Sequence, residues 1–152
     1  MATTTDLGVG WLLGAVHRRV RALWAERIRD LGVTPPQAAA LRELRRRPDV
    51  SLRELARLLE TEPINLSRAL EPLEAQGLVE RRTRPHDRRV HALRLTPDGV
   101  DLADRLEAAS ARFEAELARQ LNPPVELIHD ALRCWLATLQ RSERGPRATE
   151  VS

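Results

Sequence analysis

The chain lacks several features that would point to a membrane or secreted protein. It has 152 residues, of which 42% are hydrophobic, and a single cysteine, Cys134, so no intramolecular disulfide can form. No apolar run approaches the roughly 18 residues of a membrane span. The N-terminus, MATTTDLGVGWLLG, lacks the basic segment of a secretory signal. We therefore expect a single domain with its own hydrophobic core, and a location in the reducing cytoplasm.

Motifs of the common enzyme classes are also missing. The sequence contains no GxSxG, HExxH, CxxC or glycine-rich phosphate loop, so we expect neither catalysis nor a cofactor. His86 and His91 flank a short polar stretch with Asp87, which leaves a metal site as an alternative. Such a site would lie on an exposed turn, so the expectation is that no metal is bound.

The excess of positive over negative charge is concentrated in one part of the chain. Lysine is absent, all 25 basic residues are arginine, and the net charge is +3. Residues 80–94 hold six arginines against two acids, a net +4 that leaves −1 for the rest of the chain. A localised positive field is typical of a surface that meets a polyanion.

Helix signals divide the first half of the chain. Apolar residues spaced by three and four predict a helix over 7–31, closed by Gly32. Capping boxes in TPPQ, beginning at Thr34, and in SLRE, beginning at Ser51, predict the next two helices. A fourth helix is predicted from Pro63 to Gly77. Its apolar stripe is expected to consist of Ile64, Leu66, Leu70 and Leu73.

After Gly77 the apolar period changes from helical to alternating. Residues 78–83 and 89–95 predict two strands around the turn 84–88. Thr96-Pro-Asp then begins a long helix, and Asn122-Pro begins the last. The expected fold is mainly α (α+β): a winged helix–turn–helix of about six helices with a two-stranded β wing.

The fourth helix and the predicted hairpin carry side chains suited to DNA. Asn65, Ser67 and Arg68 lie near the N-terminal end of the helix, where a recognition helix presents polar residues to the major groove. Alternatively, they are solvated positions on an ordinary amphipathic helix. In the hairpin, Asp87 is expected to hold the turn. The hairpin arginines are expected to enter a minor groove, unless they only protect a sheet edge; they are Arg84, Arg88 and Arg89.

Three segments together resemble the MarR family (multiple antibiotic resistance regulators). They are LSRALEPLEAQGLVER at 66–81, DRR at 87–89 and LTPDG at 95–99. The resemblance covers nearly the whole chain, 1–152, and Pro72 departs from the family pattern. The resemblance implies a DNA-binding lobe over 34–99 and dimerisation helices at 7–31 and 98–140. For function, the resemblance implies a homodimer that binds a pseudo-palindromic operator and usually acts as a repressor.

The resemblance also implies regulation by a small aromatic or phenolic effector. On the first helix, His17, Arg21 and Trp24 would supply a polar group, a cation and an aromatic wall for a pocket. The same residues would equally suit a dimer core. Two further alternatives stay open: a redox-sensing regulator acting through Cys134, and a winged-helix dimer whose lobe binds a protein partner.

Overall fold

The computed structural model describes residues 8–84, 87–122 and 124–143, with the side chains of residues 84 and 87–90 left aside. The chain forms two compact units, Met1–Ala111 and Arg112–Ser152. None of the helices among the described residues combines the length and apolar content that crossing a bilayer requires.

Six helices and three strands make up the described chain. In order they are α1 Val9–Arg27, α2 Pro35–Arg46, β1 Val50–Ser51, α3 Leu52–Leu58, α4 Pro63–Ala75, β2 Val79–Arg84, β3 Asp87–Leu95, α5 Pro97–Gln120 and α6 Val125–Glu143. The predicted winged helix–turn–helix is confirmed by this order, in which α3 and α4 are followed by the β2–β3 hairpin.

The first helix is shorter than predicted. It ends at Arg27, and a turn of 3₁₀ helix, Arg29–Leu31, replaces its last turn. The change of path brings Ile28 fully into the core. Gly32 closes the 3₁₀ turn with a left-handed φ of 71°, which glycine adopts without steric cost.

Both predicted capping boxes are present. The backbone N–H of Thr34 donates to Gln37 Oε1 at 2.9 Å. The backbone N–H of Ser51 donates to Glu54 Oε2 at 2.7 Å, and Glu54 N–H donates to Ser51 Oγ at 3.2 Å. These bonds satisfy N–H groups that a helix start would otherwise leave unpaired.

The expected apolar stripe of α4 was wrong at one position. Leu66, Leu70 and Leu73 are buried, but Ile64 is 60% exposed. Two residues along an α-helix rotate a side chain by about 200°, so Ile64 and Leu66 point to opposite sides. Pro72 lies inside α4 without ending it. The helix continues to Ala75 because the Gln76 N–H still bonds to the Pro72 carbonyl, at 3.0 Å.

The sheet has three antiparallel strands rather than the predicted two, in the order β1-β3-β2. The prediction missed β1, where Val50 pairs with Leu93 and Ser51 with Ala92. Two residues are too few to show an alternating pattern. In β2 and β3 the register runs from Val79 opposite Leu95 to the tip, with an irregularity between Thr83 and Arg84.

One core joins all elements of the first unit. Buried leucines from α2, α3, α4, β3 and α5 form its centre, and Trp24 of α1 packs against it. They are Leu41, Leu44, Leu55, Leu66, Leu70, Leu73, Leu93, Leu95 and Leu106. This packing fixes α4 by its inner face and leaves its outer face to solvent.

The first and the last helix each carry exposed apolar side chains. On α1, Trp11 and Val16 are more than half exposed. On α6 no residue is buried, and its exposed apolar side chains include Ile128, Leu132, Trp135 and Leu139. Of the four aromatic residues, Phe113 is buried and Trp24 is half-buried, so they contribute little to these surfaces.

Candidate nucleic-acid interface

The outward surface of α4 brings together the predicted base-reading residues. Asn65 and Arg68 are exposed, and Ser67 is half-buried. Arg68 lies opposite the buried leucines, while Asn65 flanks it, as the rotation of about 100° per residue requires. An exposed amide and guanidinium near the first turns of a helix suit the base edges and phosphates of a major groove.

The rest of the fold holds α4 in place. Gln37, which completes the cap of α2, also donates from Nε2 to the Ala69 carbonyl of α4 at 3.2 Å. In the turn before α4, Glu60 has a φ of 50°, and the Thr61 N–H bonds to the Ala56 carbonyl at 3.0 Å. This compact turn borders a polar cleft of about 470 Å³ lined by Arg57, Glu62 and Asn65 among others.

Three arginines of the positively charged segment are bound within the chain. Arg81 is hydrogen bonded to Glu74 at 2.9 Å, and Arg82 to Glu80 at 2.6 Å. Arg94 Nε donates to Asp49 Oδ1 at 2.9 Å. The hydrogen bonds to Glu74 and Asp49 raise the pKa of Arg81 and Arg94. The pairs with Glu74 and Asp49 fasten the base of the hairpin to α4 and to the residue before β1. All three pairs partly neutralise the charge of their arginines.

The remaining arginines of that segment belong to the wing tip. β2 ends at Arg84 and β3 begins at Asp87, with the two backbones paired there. The side chains of Arg84, Asp87, Arg88 and Arg89, and all of His86, lie outside the described residues. The predicted roles of these side chains stay predictions.

The predicted effector residues share one side of α1 but differ in environment. His17 and Arg21 are exposed, while Trp24 is half-buried against the core. Their spacing of four and three places them along a single helix face. Trp24 thus contributes to the packing of the first unit, whereas the two polar side chains face solvent.

Ion pairs connect α2 to α5, and they were not predicted from the sequence. Glu107 accepts from Arg42 Nε at 2.7 Å and from Arg46 Nη2 at 2.9 Å. Arg45 Nε donates to Asp104 at 2.8 Å. The hydrogen bond from Arg42, assisted by Arg46, lowers the pKa of Glu107. The partners are about sixty residues apart in sequence, so no local pattern could have indicated them.

The end of α4 is also joined to the start of α5. Thr96 Oγ1 donates to the Gly77 carbonyl at 2.6 Å and accepts from the Gly99 N–H at 3.1 Å. The Thr96 N–H donates to the Leu78 carbonyl at 3.1 Å. The sequence predicted Thr96 as a helix cap, which the Gly99 bond confirms. We call Gly77, Leu78, Thr96 and Gly99 the α4–α5 joint.

Within the described residues the structure gives no group of three metal-ligating side chains. What it offers instead is a helix–turn–helix with an exposed polar recognition surface, followed by a hairpin. This combination defines a winged helix–turn–helix protein of the class that regulates transcription.

Comparison with known proteins identifies the family. The sequence profile of the MarR family matches residues 31–90. An HTH-type transcriptional repressor of Mycobacterium tuberculosis is 32% identical over 124 residues, which are 82% of this chain and 89% of that protein. The chain belongs to the MarR family, and it is a DNA-binding transcriptional regulator.

A relative from Thauera aromatica, provisionally named a transcriptional regulatory protein for the hcr operon, is 32% identical over 91 residues. The match spans 60% of this chain and 55% of that relative.

Solved structures agree with this assignment. The transcriptional repressor CouR, bound to a 23-mer DNA duplex, has a TM-score of 0.77 and 30% identity, covering 92% of this chain and 96% of CouR. A mutant MarR from E. coli complexed with operator DNA has a TM-score of 0.76 and 25% identity, covering 84% and 93%.

Proposed function

We propose that the chain is a transcriptional repressor that binds a pseudo-palindromic operator as a homodimer. The observation that carries this proposal is the outer surface of α4, where Asn65 and Arg68 stand exposed opposite a fully buried inner face. Repression is supported by the mycobacterial relative and by CouR, both of which are named repressors.

Each DNA-facing side chain has a distinct role in this proposal. Asn65 reads an adenine edge, Arg68 a guanine or a phosphate, and Ser67 a base or a phosphate. Arg84, Arg88 and Arg89 of the wing enter the neighbouring minor groove, where negative potential is concentrated. Asp87 holds the wing tip. Since Arg81, Arg82 and Arg94 already have acidic partners, the tip arginines carry the wing's contact with DNA.

The helices outside the DNA-binding lobe are proposed to form the dimer interface. Residues 34–99 form the DNA-binding lobe, and residues 7–31 and 98–140 form the dimer. Support comes from the exposed apolar side chains of α1 and, separately, of α6, because large apolar side chains clustered in water often mark a surface of protein association. A two-fold dimer would place its recognition helices about 34 Å apart, one turn of DNA.

Release of the operator would come from a small aromatic or phenolic effector that shifts the spacing of the lobes. His17, Arg21 and Trp24 are the proposed pocket residues. Cys134 is exposed, so oxidation at this thiol is the second candidate for control. The proposal includes no catalysis, cofactor or metal, and it places the protein in the cytoplasm with its DNA.

The test is a binding titration against the DNA upstream of the protein's own gene, at two salt concentrations. Binding should be selective over random duplex and weaken steeply with salt, because arginine–phosphate contacts release counterions. Arg89→Ala should reduce the slope of log K against log salt by about one unit. Arg82→Ala is the matched control, since its charge is already paired with Glu80.

The rival proposal, that the lobe binds a protein partner, makes the opposite prediction. It allows no tight binding to any duplex at either salt concentration. Selective binding that is indifferent to Arg89→Ala would keep the regulator but remove the wing from its contact surface.

A further inference from the structure

Ile64 is an anomaly in the first unit. Among the described side chains from Gly32 to Ala111, it is the one large apolar residue classed as exposed, at 60%. The other exposed large apolar side chains lie on α1, on α6 and at Leu121, between α5 and α6. Ile64 therefore belongs neither to the core nor to the helices proposed to form the dimer.

Its position is on the recognition surface itself. Ile64 follows Pro63, the first residue of α4, and lies one turn before Arg68. Residues four apart on a helix are neighbours, with Cβ atoms about 5–6 Å apart. Ile64 and Arg68 thus form one outward ridge, flanked by Asn65. An apolar side chain beside an amide and a guanidinium matches the mixed chemistry of a major-groove edge.

That edge offers one prominent apolar group. In the major groove, thymine alone among the four bases presents a methyl group, at C5, and apolar side chains recognise it by contact. We propose that Ile64 is a specificity-determining residue that packs against the C5-methyl of a thymine. This inference rests on the proposed use of α4 as the recognition helix.

The ridge also limits where that thymine lies. A side-chain separation of about 5–6 Å corresponds to one or two base-pair steps of about 3.4 Å. The thymine should therefore stand within about two base pairs of the base or phosphate that Arg68 contacts. If Ile64 contacted only a sugar, binding would not depend on whether the base at that position is thymine.

The experiment replaces thymine by deoxyuridine, which removes only the methyl group. An operator is first selected from randomised duplexes by the purified full-length protein, and each thymine is then replaced in turn. For the wild type, one replacement near the Arg68 contact should weaken binding about fourfold, the effect of one buried methyl group. Ile64→Ala should weaken binding to the thymine operator and bring that thymine/deoxyuridine ratio close to one.

Two variants make the result specific. Ile64→Val keeps a β-branched side chain and should keep most of the discrimination. Glu71→Ala, at an exposed position on the same helix, should keep all of it. Because Ile64 is exposed, its substitutions should leave the thermal unfolding curve unchanged.

Three other outcomes are separable. Selective binding that tolerates deoxyuridine at every position overturns the inference and leaves the regulator intact. A selected operator without thymine in reach of α4 does the same. Failure to select any duplex removes the proposed function together with this inference.

Discussion

A β-carbon at Gly99 would stand 2.0 Å from the carbonyl oxygen of Leu78, well inside van der Waals contact. The obstructing atom is backbone, and the same carbonyl accepts the Thr96 N–H, so it cannot move without breaking the α4–α5 joint. Gly99→Ala should therefore lower the free energy of unfolding by about 1–3 kcal/mol, measured by urea denaturation.

The control for that substitution is Gly10→Ala. Among the described residues, and apart from its chain neighbours and the nearby backbone of its own helix, no atom lies within 4 Å of the β-carbon it would add. Alanine also favours a helix over glycine by about 1 kcal/mol. Stability should stay the same or rise. If Gly99→Ala behaved like Gly10→Ala, the close approach to Leu78 would be wrong.

Arg68→Ala should weaken operator binding by about 1–3 kcal/mol, or roughly fivefold to 150-fold. If Arg68 reads a guanine, preference at that base pair should relax as well; if it contacts a phosphate, the loss should be equal across sequences. Competition binding with single-base operator variants separates the two.

Arg81→Ala is the matched comparison for Arg68→Ala. Both substitutions remove one arginine, but Arg81 is already paired with Glu74. It should alter stability by less than about 1 kcal/mol and leave operator affinity nearly unchanged. A larger loss of affinity from Arg81→Ala than from Arg68→Ala would move the proposed contact from α4 to the hairpin base.

The ion pairs of Glu107 should make part of the stability pH-dependent. Its folded pKa is lowered from 4.5, so its contribution is present above that value and is lost as pH falls through the folded pKa. Glu107→Gln should cost about 0.5–1 kcal/mol at pH 7, a modest amount because the pairs are half exposed. The difference from wild type should shrink steadily below about pH 4.5.

Urea denaturation at several pH values measures this dependence. Glu114→Gln, an exposed position further along α5, serves as the control and should show no such convergence. A Glu107→Gln effect of constant size from pH 7 to pH 3 would mean that the ion pairs do not contribute.

Leu132→Glu should disrupt the proposed dimer. Leu132 lies in the exposed apolar stripe of α6, and a carboxylate there would be buried without a partner if two chains met on this surface. Sedimentation velocity should show a shift from dimer to monomer. Arg133→Glu changes charge at the next, exposed position and should leave the dimer intact.

Local signals predicted much of the fold. The capping boxes at Thr34 and Ser51 predicted two helix starts. In each box the first side chain and the side chain three residues later, Gln37 or Glu54, satisfy backbone groups of the same short segment. Such bonds depend only on nearby residues. The strand at Val50 was missed because its stability comes from pairing with Leu93, far along the chain.

The candidate site was predictable only in part. Asn65 and Arg68 were identified from their place near a helix start, and both are exposed. Ile64 was assigned to the core because it is apolar, although its rotation relative to Leu66 argued against that. The charge count over 80–94 could not show which arginines have acidic partners, because partners such as Asp49 lie outside that segment.

The α4–α5 joint has a mechanical consequence. Two hydrogen bonds from Thr96, to the carbonyls of Gly77 and Leu78, link the residues after α4 to the start of α5. The close approach of Gly99 to Leu78 leaves no room for an extra methyl group. A rotation at the beginning of α5 would therefore be expected to move the end of α4 with it, because these bonds tie the two helices together. Arg68 lies about 14 Å of helix before the joint, so a rotation of about 5° there would displace it by about 1 Å.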